Sequence, residues 1–392
     1  MAEIYNYHLD LDRSRLRKAI KEELRILFGK NILRPISKSR RTTSNNGLQT
    51  QRLRSLNIIA MLDVLDREGG YKLETVESLR QKHIDYLVKY WVDKGLSRGT
   101  IENKLSYLGA LLVWINKPGL KCTALQVPEV KKLPTRTWIT ETDKTWESAN
   151  LDIGEIISKI SGDEPHMAVQ LLLQLNFGLR SQEAMLLRPA KAVLQINGYS
   201  YLEVVHGTKG GRPRKVLIET DDQQKLLTEA RLYTNSTSGS LIPDGYTLKQ
   251  WVGRYFTLLR KYGITKKELG VTGHGLRAQY FTGVYKQITG METPVRNGAK
   301  PDMDILKLAR QTIVERAGHS TPYKSHAYIG SHTAVKRKFT QSITDAQIVA
   351  ALKDCNNNRT HAAEKLGLSR AMLYRRMANI PEVEKMPALQ MC

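Results

Sequence analysis

From about Gln51 to Pro118 the apolar residues return at every third or fourth position: Leu56, Ile59, Leu62 and Leu65, then Ile84, Leu87, Val88 and Trp91, then Ile101, Leu105, Leu108, Leu111 and Leu112. A spacing near the helical repeat lines such residues along one face of a helix, and successive stripes of this kind read as a small helical domain. The domain is placed at 51–120. The chain has 392 residues in all, room for two or three domains, at least one with a substantial core.

Around that domain the pattern changes. Leu16, Ile20, Leu24 and Leu27 predict a short amphipathic helix over 12–28, with no partner legible. Ser37 to Thr50 is basic and polar, as a linker is, so 1–50 is taken as an N-terminal helix and basic linker. The stretch 121–145, carrying Pro128 and Pro134 without sustained periodicity, reads as an interdomain connector. A larger mixed domain is expected over 146–340, with helix-like runs from Asp152 to Ile160 and Met167 to Phe177. Tyr201 to Val205 and Lys215 to Ile218 there form a hairpin around a Gly-rich turn. A separate helical unit over 343–380 and a loose tail over 381–392 close the chain. The fold class is thus mainly α with a small β-sheet.

Charge narrows the partners. Lysine and arginine outnumber the acids 61 to 38, a formal net charge of +23 that draws the molecule to polyanions, nucleic acid first among them. A charged soluble protein or an anionic membrane surface is the plainer reading, but the basic residues are dispersed and no amphipathic anchor is evident. Three distant cysteines, Cys122, Cys355 and Cys392, offer neither a disulfide framework nor a zinc site and fit a reducing compartment. The first residues lack a signal-peptide pattern and no run has the apolar length of a membrane span, so a cytoplasmic location is expected.

Short segments carry the chemistry, and each has an ordinary structural explanation when taken alone. In 176–187 Gly178 suits a helix C-terminus and Ser181 can cap the next helix, which leaves Arg180 at the junction, with Glu183 three residues on as a same-face ion partner. Lys209 stands at the tip of the hairpin, where a solvated lysine is the rule. His274 and Arg277 are three apart, on one face if helical, and Gly273 and Gly275 allow close backbone approach; the pair can grip one phosphate or simply line a helix start. His319 precedes Tyr328 by a short segment, in a chain with nine histidines and 17 tyrosines.

The order Arg180, Lys209, His274 with Arg277, His319, Tyr328 resembles the tyrosine recombinase family, which includes phage and conjugative-element integrases. Five motifs in order are far more specific than one. The run Leu96 to Ser106 is similar to the family's SAM-like core-binding domain, so the resemblance covers about 50–338. It implies a core-binding helical domain and a catalytic domain closing as a C-shaped clamp on double-stranded DNA, with the connector crossing the duplex. It also implies cleavage and rejoining of strands through a 3′-phosphotyrosyl intermediate, for integration or excision of a mobile element. The stretch from Arg277 to His319 is longer than in compact members, which marks an insertion at 287–313 of unknown purpose.

Under that resemblance the residue types suit their tasks. Attack on a phosphodiester builds negative charge on nonbridging oxygens, and Arg180 and Arg277 present planar guanidiniums to them. His274 and His319 donate hydrogen bonds to the same phosphate or exchange protons. Tyr328 is the nucleophile, with Tyr323 its competitor. Lys209 supplies the proton to the departing 5′ oxygen, with Lys215 as fallback, and Glu183 supports the arginines. Neither metal nor cofactor is called for. Arg98 and Lys104 are candidate DNA contacts, as are Arg370, Arg375 and Arg376 in a segment that looks like a Fis-type helix-turn-helix. In that segment Ala363, Leu366, Leu368 and Leu373 form the seam and Ser369 caps the second helix; a basic hairpin packed on protein is its alternative. The partners implied are attachment-site DNA, further copies of the chain in a homodimer or homotetramer, and accessory DNA-bending or directionality proteins. A type IB topoisomerase-like enzyme and a noncatalytic DNA-binding regulator are the competing functions.

Overall fold

The computed structural model describes residues 4–35, 45–209, 211–335, 343–378, 380 and 383. The chain divides into two units, Met1–Thr137 and Trp138–Cys392.

The first unit is built from α1 (His8–Arg13), α2 (Lys18–Asn31), α3 (Leu48–Arg67), α4 (Gln81–Asp93), α5 (Arg98–Trp114) and the short α6 (Pro128–Lys132). The predicted stripes are its interior: Ile59, Leu62 and Leu65 of α3, Ile84, Leu87, Val88 and Trp91 of α4, and Ile101, Leu105, Leu108, Leu111 and Leu112 of α5 are all buried. Ser97 caps α5, its hydroxyl accepting from the Thr100 amide.

Two expected boundaries move. Leu16, Ile20, Leu24 and Phe28 share one core with α3, α4 and α5, so residues 4–35 belong to the helical domain. Helix α3 begins at Leu48, and Gln51, taken from sequence as the domain edge, is buried, accepting from the Tyr5 amide at 2.9 Å. Residues 36–44 of the expected linker lie outside the described residues. Part of the expected connector also packs on this core: Val127 and Val130 are buried, and Pro128 starts α6 where a missing N–H costs nothing. The division falls at Thr137 instead.

The second unit runs α7 (Ile153–Asp163), α8 (Pro165–Phe177), α9 (Ser181–Leu186), β1 (Val193–Ile196), β2 (Tyr199–Val204), β3 (Arg214–Leu217), α10 (Asp221–Ala230), α11 (Leu248–Lys261), α12 (Gly273–Thr289), α13 (Met303–Ala317) and α14 (His326–Ile329). Helix α8 is buried on two sides. Met167, Ala168 and Leu171 face a core shared with α7 and α11, and Val169, Leu173 and Phe177 face one shared with the sheet and α10. The sheet is antiparallel in the order β1-β2-β3. Its first strand was not anticipated; Asn197 and Gly198, both at positive φ, make the two-residue turn that pairs Ile196 with Tyr199.

Residues 287–313, expected as an insertion, are the end of α12, a connection and most of α13. Leu306, Ala309 and Ile313 pack with Phe281 and Tyr285 of α12 in a third core that also holds Tyr328. Arg296 in the connection is ion-paired to Asp143, Glu147 and Glu292, so this polar segment is tied down by charge.

The last helices are α15 (Asp345–Asp354), α16 (Arg359–Lys365) and α17 (Arg370–Met377). Asn358 caps α16, Gly367 at φ 63° makes the turn, and Ser369 caps α17. Leu352, Ala362, Ala363, Leu368 and Leu373 close a core of their own, with Leu366 partly buried at its edge. Of the expected tail only residue 383 is described. No helix among the described residues is long and apolar enough to cross a membrane.

Candidate active site

Gly178 ends α8 in the left-handed conformation, with Tyr280 so close that a Cβ would lie 2.5 Å from its ring. The chain turns there and restarts as α9, with Arg180 at the N-cap and Glu183 at the third helical position, whose carboxylate accepts the Arg180 amide at 2.7 Å. Glu183 is fully buried and surrounded by guanidiniums. Arg180 reaches it at 2.6 Å, Arg214 of β3 grips both oxygens at 2.8 and 2.7 Å, and Arg277 stands at 3.6 Å. Burial alone would raise its pKa, but the Arg214 hydrogen bonds and the charges of Arg214 and Arg180 hold it down to about 2. Glu183 is a carboxylate at every physiological pH.

The C-terminus of α13 supplies the second anchor. Its last carbonyls have no partner within the helix and lie at the negative end of its dipole. The Ala317 carbonyl accepts from Arg180 at 3.2 Å and from Arg277 at 2.9 Å, and the Arg316 carbonyl accepts from Arg214 at 2.7 Å. Arg277, on the first turns of α12, is fully buried and also donates to the Gly178 carbonyl. Burial pushes it down to about 10, so it stays a cation at neutral pH.

The Arg277 Nε–H donates to the Tyr328 hydroxyl at 3.1 Å. That hydroxyl lies 3.1 Å from Nε2 of His319. Tyr328 is buried, its ring 4.5 Å from Phe281 and 6.2 Å from His274, whereas Tyr323 is 54% exposed. His319 follows Gly318, which ends α13 at φ 70°, and its amide donates to Val314. Gly275 lets α12 approach closely, since a Cβ would stand 2.4 Å from the Lys144 carbonyl. Desolvation lowers both imidazoles to about 4, helped at His274 by Arg277, Lys144 and Arg180 and at His319 by Arg180 and Arg277. His274 keeps an exposed face all the same. Both rings are neutral at physiological pH, with one donor and one acceptor nitrogen each.

Of the sequence candidates, the structure brings Arg180, Glu183, His274, Arg277, His319 and Tyr328 together. Lys209 is exposed on the loop between β2 and β3, and Lys215 is exposed on β3. Arg214 was missed. Its signal lay in strand alternation: Arg214 and Val216 share the buried face that Lys215 does not, and an arginine facing inward on a strand needs a carboxylate.

The proposed DNA contacts divide. Arg98 bonds Glu102 and the Leu133 carbonyl, and Lys104 reaches Asn57 at 3.3 Å and lies over the Trp91 ring, so both are engaged within their own domain. Arg370 and Arg375 are exposed on α17. Arg376, expected on the same open face, instead bonds Asp345 at 2.7 Å and the Ile343 carbonyl at 2.8 Å, because it falls on the side of α17 that meets α15.

Residues 141–282 match the family model described as integrase, and residues 345–379 match that of the bacterial regulatory proteins of the Fis family. The first match includes Arg180, Glu183, Lys209, Arg214, His274 and Arg277 and stops before His319 and Tyr328. No curated protein matches the chain. Among solved structures the chain is similar to the XerH site-specific recombinase bound to palindromic difH substrate, at 18% identity over 74% of this chain and 79% of that one, with a TM-score of 0.45. The Tn1549 transposon integrase in complex with circular intermediate DNA matches at 17% identity over 80% and 97%, TM-score 0.44. A lambda integrase tetramer bound to a Holliday junction matches at 13% over 79% and 77%, TM-score 0.49.

Proposed function

Given an integrase domain over 141–282 and a Fis-type helix-turn-helix over 345–379, we propose that this chain is a site-specific DNA recombinase that cuts and rejoins strands through a transient bond to Tyr328.

One observation carries the reading. The Tyr328 oxygen accepts a hydrogen bond from Arg277, so its own proton is free to point at His319 Nε2, 3.1 Å away and neutral at physiological pH. A phenol ordinarily holds its proton to about pH 10, and a neutral imidazole is the acceptor such a nucleophile needs. As the Tyr328 oxygen bonds to phosphorus, the phenol proton passes to His319 and the bond to the 5′ oxygen breaks. Arg180 and Arg277, held in place by Glu183 and the α13 carbonyls, meet the charge on the nonbridging oxygens, with His274 donating a further hydrogen bond. Lys209 gives the 5′ oxygen its proton. The resulting 3′ phosphotyrosyl ester keeps the phosphodiester energy, so a 5′ hydroxyl from another strand reverses the step without ATP.

The substrate in this reading is double-stranded DNA at attachment sites, bound by two or four copies of the chain, with integration or excision of a mobile element as the outcome. Arg370 and Arg375 are the contacts proposed for the helix-turn-helix. The test is a nicked suicide duplex built on short repeats found by a survey of the DNA that flanks the coding region. The chain and its Tyr323→Phe variant should form a covalent protein–DNA adduct and Tyr328→Phe none; an adduct that survives in Tyr328→Phe refutes the assignment.

A further inference from the structure

We propose that Gly207 and Arg214 form a two-point mount that fixes the Lys209 loop against the guanidinium cluster, making both of them positioning residues for proton delivery to the leaving oxygen. The proposal rests on the recombinase reading above.

The loop leaves β2 after Val204 and enters β3 at Arg214. It has little interior of its own: Val205, His206, Lys209, Gly211, Arg212 and Pro213 are exposed. Within it the Thr208 hydroxyl donates to the Val205 carbonyl and the Gly211 amide to the Thr208 carbonyl, each at 3.2 Å. Its placement therefore comes from its ends. At the near end Gly207 sits at φ 73°, and a Cβ there would lie 2.7 Å from the Gln182 oxygen, 2.9 Å from its carbonyl carbon and 3.0 Å from the Glu183 nitrogen. Only glycine lets the loop rest on the first turn of α9 in that conformation. At the far end Arg214 is locked by two hydrogen bonds to the Glu183 carboxylate and one to the Arg316 carbonyl. Both ends thus bear on Glu183, the near end on its backbone nitrogen and the far end on its carboxylate. Glu183 is also the carboxylate that holds Arg180 and stands beside Arg277. Lys209 lies in sequence between the two supports, so its reach is registered to the groups that hold the phosphate.

In the step concerned, Lys209 Nζ passes one proton to the 5′ oxygen as the P–O bond breaks, and the neutral amine regains a proton from solvent. A leaving group that departs without a proton makes that transfer unnecessary. Single-turnover cleavage by the full chain is therefore compared on two nicked duplexes, one ordinary and one with sulfur in the 5′ bridging position. Loss of a general acid slows such a step by about 100-fold or more, so Lys209→Ala should fall by that much on oxygen and recover on sulfur. Gly207→Ala, which keeps every charge, and Arg214→Lys, which cannot span both carboxylate oxygens, should repeat the pattern. Equal loss on both duplexes, or no loss on oxygen, overturns the mount. Failure of sulfur to rescue Lys209→Ala removes the role of Lys209, and the mount with it, while Tyr328 stands. A chain that forms no adduct with either duplex refutes the recombinase reading itself.

Discussion

Glu183 shows how much one side chain can hold. Three arginines converge on this fully buried carboxylate, and no other carboxylate lies among their ion partners in the described residues. Removing one partner of a buried ion pair leaves the others uncompensated, a loss of about 3–5 kcal/mol. Glu183→Gln should therefore lower unfolding stability by that order in urea titrations and also slow adduct formation; a near-neutral change in both would mean that the backbone carbonyls alone hold the arginines. At this scale the sequence was partly legible. Arg180, His274 and Arg277 stand in short motifs, and Tyr328 was separated from Tyr323 by family spacing, a choice the burial of the two phenols parallels. Arg214 was not legible because a basic residue five positions after a hairpin lysine looks like solvated loop until the strand register shows that it faces inward. Arg376 erred the other way: being basic on a recognition-like helix says nothing about which side of that helix is already occupied.

Among the elements, α12, α14 and the turn after α13 each place a histidine in surroundings that disfavour its charge. His274, His319 and His326 are all lowered to about 4, with desolvation the first cause, and His326 is buried with neither ring nitrogen hydrogen-bonded. The unfolded chain takes up protons at these rings from an ordinary pKa of about 6.5, the folded chain only near 4. The unfolded state thus binds more protons in between, and stability should decline as pH falls from 6.5 toward 4. Glu183 acts lower: its contribution is present above the ordinary carboxylate value and is lost as pH falls through about 2. Melting temperatures across pH 7 to 4 should show the decline, and His326→Leu should make it shallower; an unchanged slope in that variant would place the uptake elsewhere. Helices α2, α3, α4, α5, α7 and α8 were readable from their stripes. Strand β1 was not, because Val193 to Ile196 is four residues long and only the Asn197–Gly198 turn distinguishes it from loop. The helix within 287–313 was hidden for a related reason: the apolar positions of α13 are interrupted by charge, yet Leu306, Ala309 and Ile313 are enough to seat it on α12.

For the whole molecule, a net charge of +23 sets the background on which any specific contact acts. Neutralising phosphates releases counterions, so DNA affinity should fall steeply with added salt, whatever the sequence bound. The chain cut after residue 342 should retain cleavage and protect a shorter stretch of DNA than the full chain, since Arg370 and Arg375 would be gone; a footprint of unchanged length would assign 343–380 to protein packing. The domain boundary was the least legible feature at this scale. Residues 12–28 carry a clear stripe, but a stripe does not name its partner, and only the shared core with α3 assigns it. The core of the final three helices, by contrast, is drawn entirely from residues 343–383. A segment that, among the described residues, shares none of its apolar interior with its neighbours can be exchanged without unfolding what precedes it. If that segment reads DNA as proposed, exchanging it changes target choice and leaves the chemistry upstream as it is.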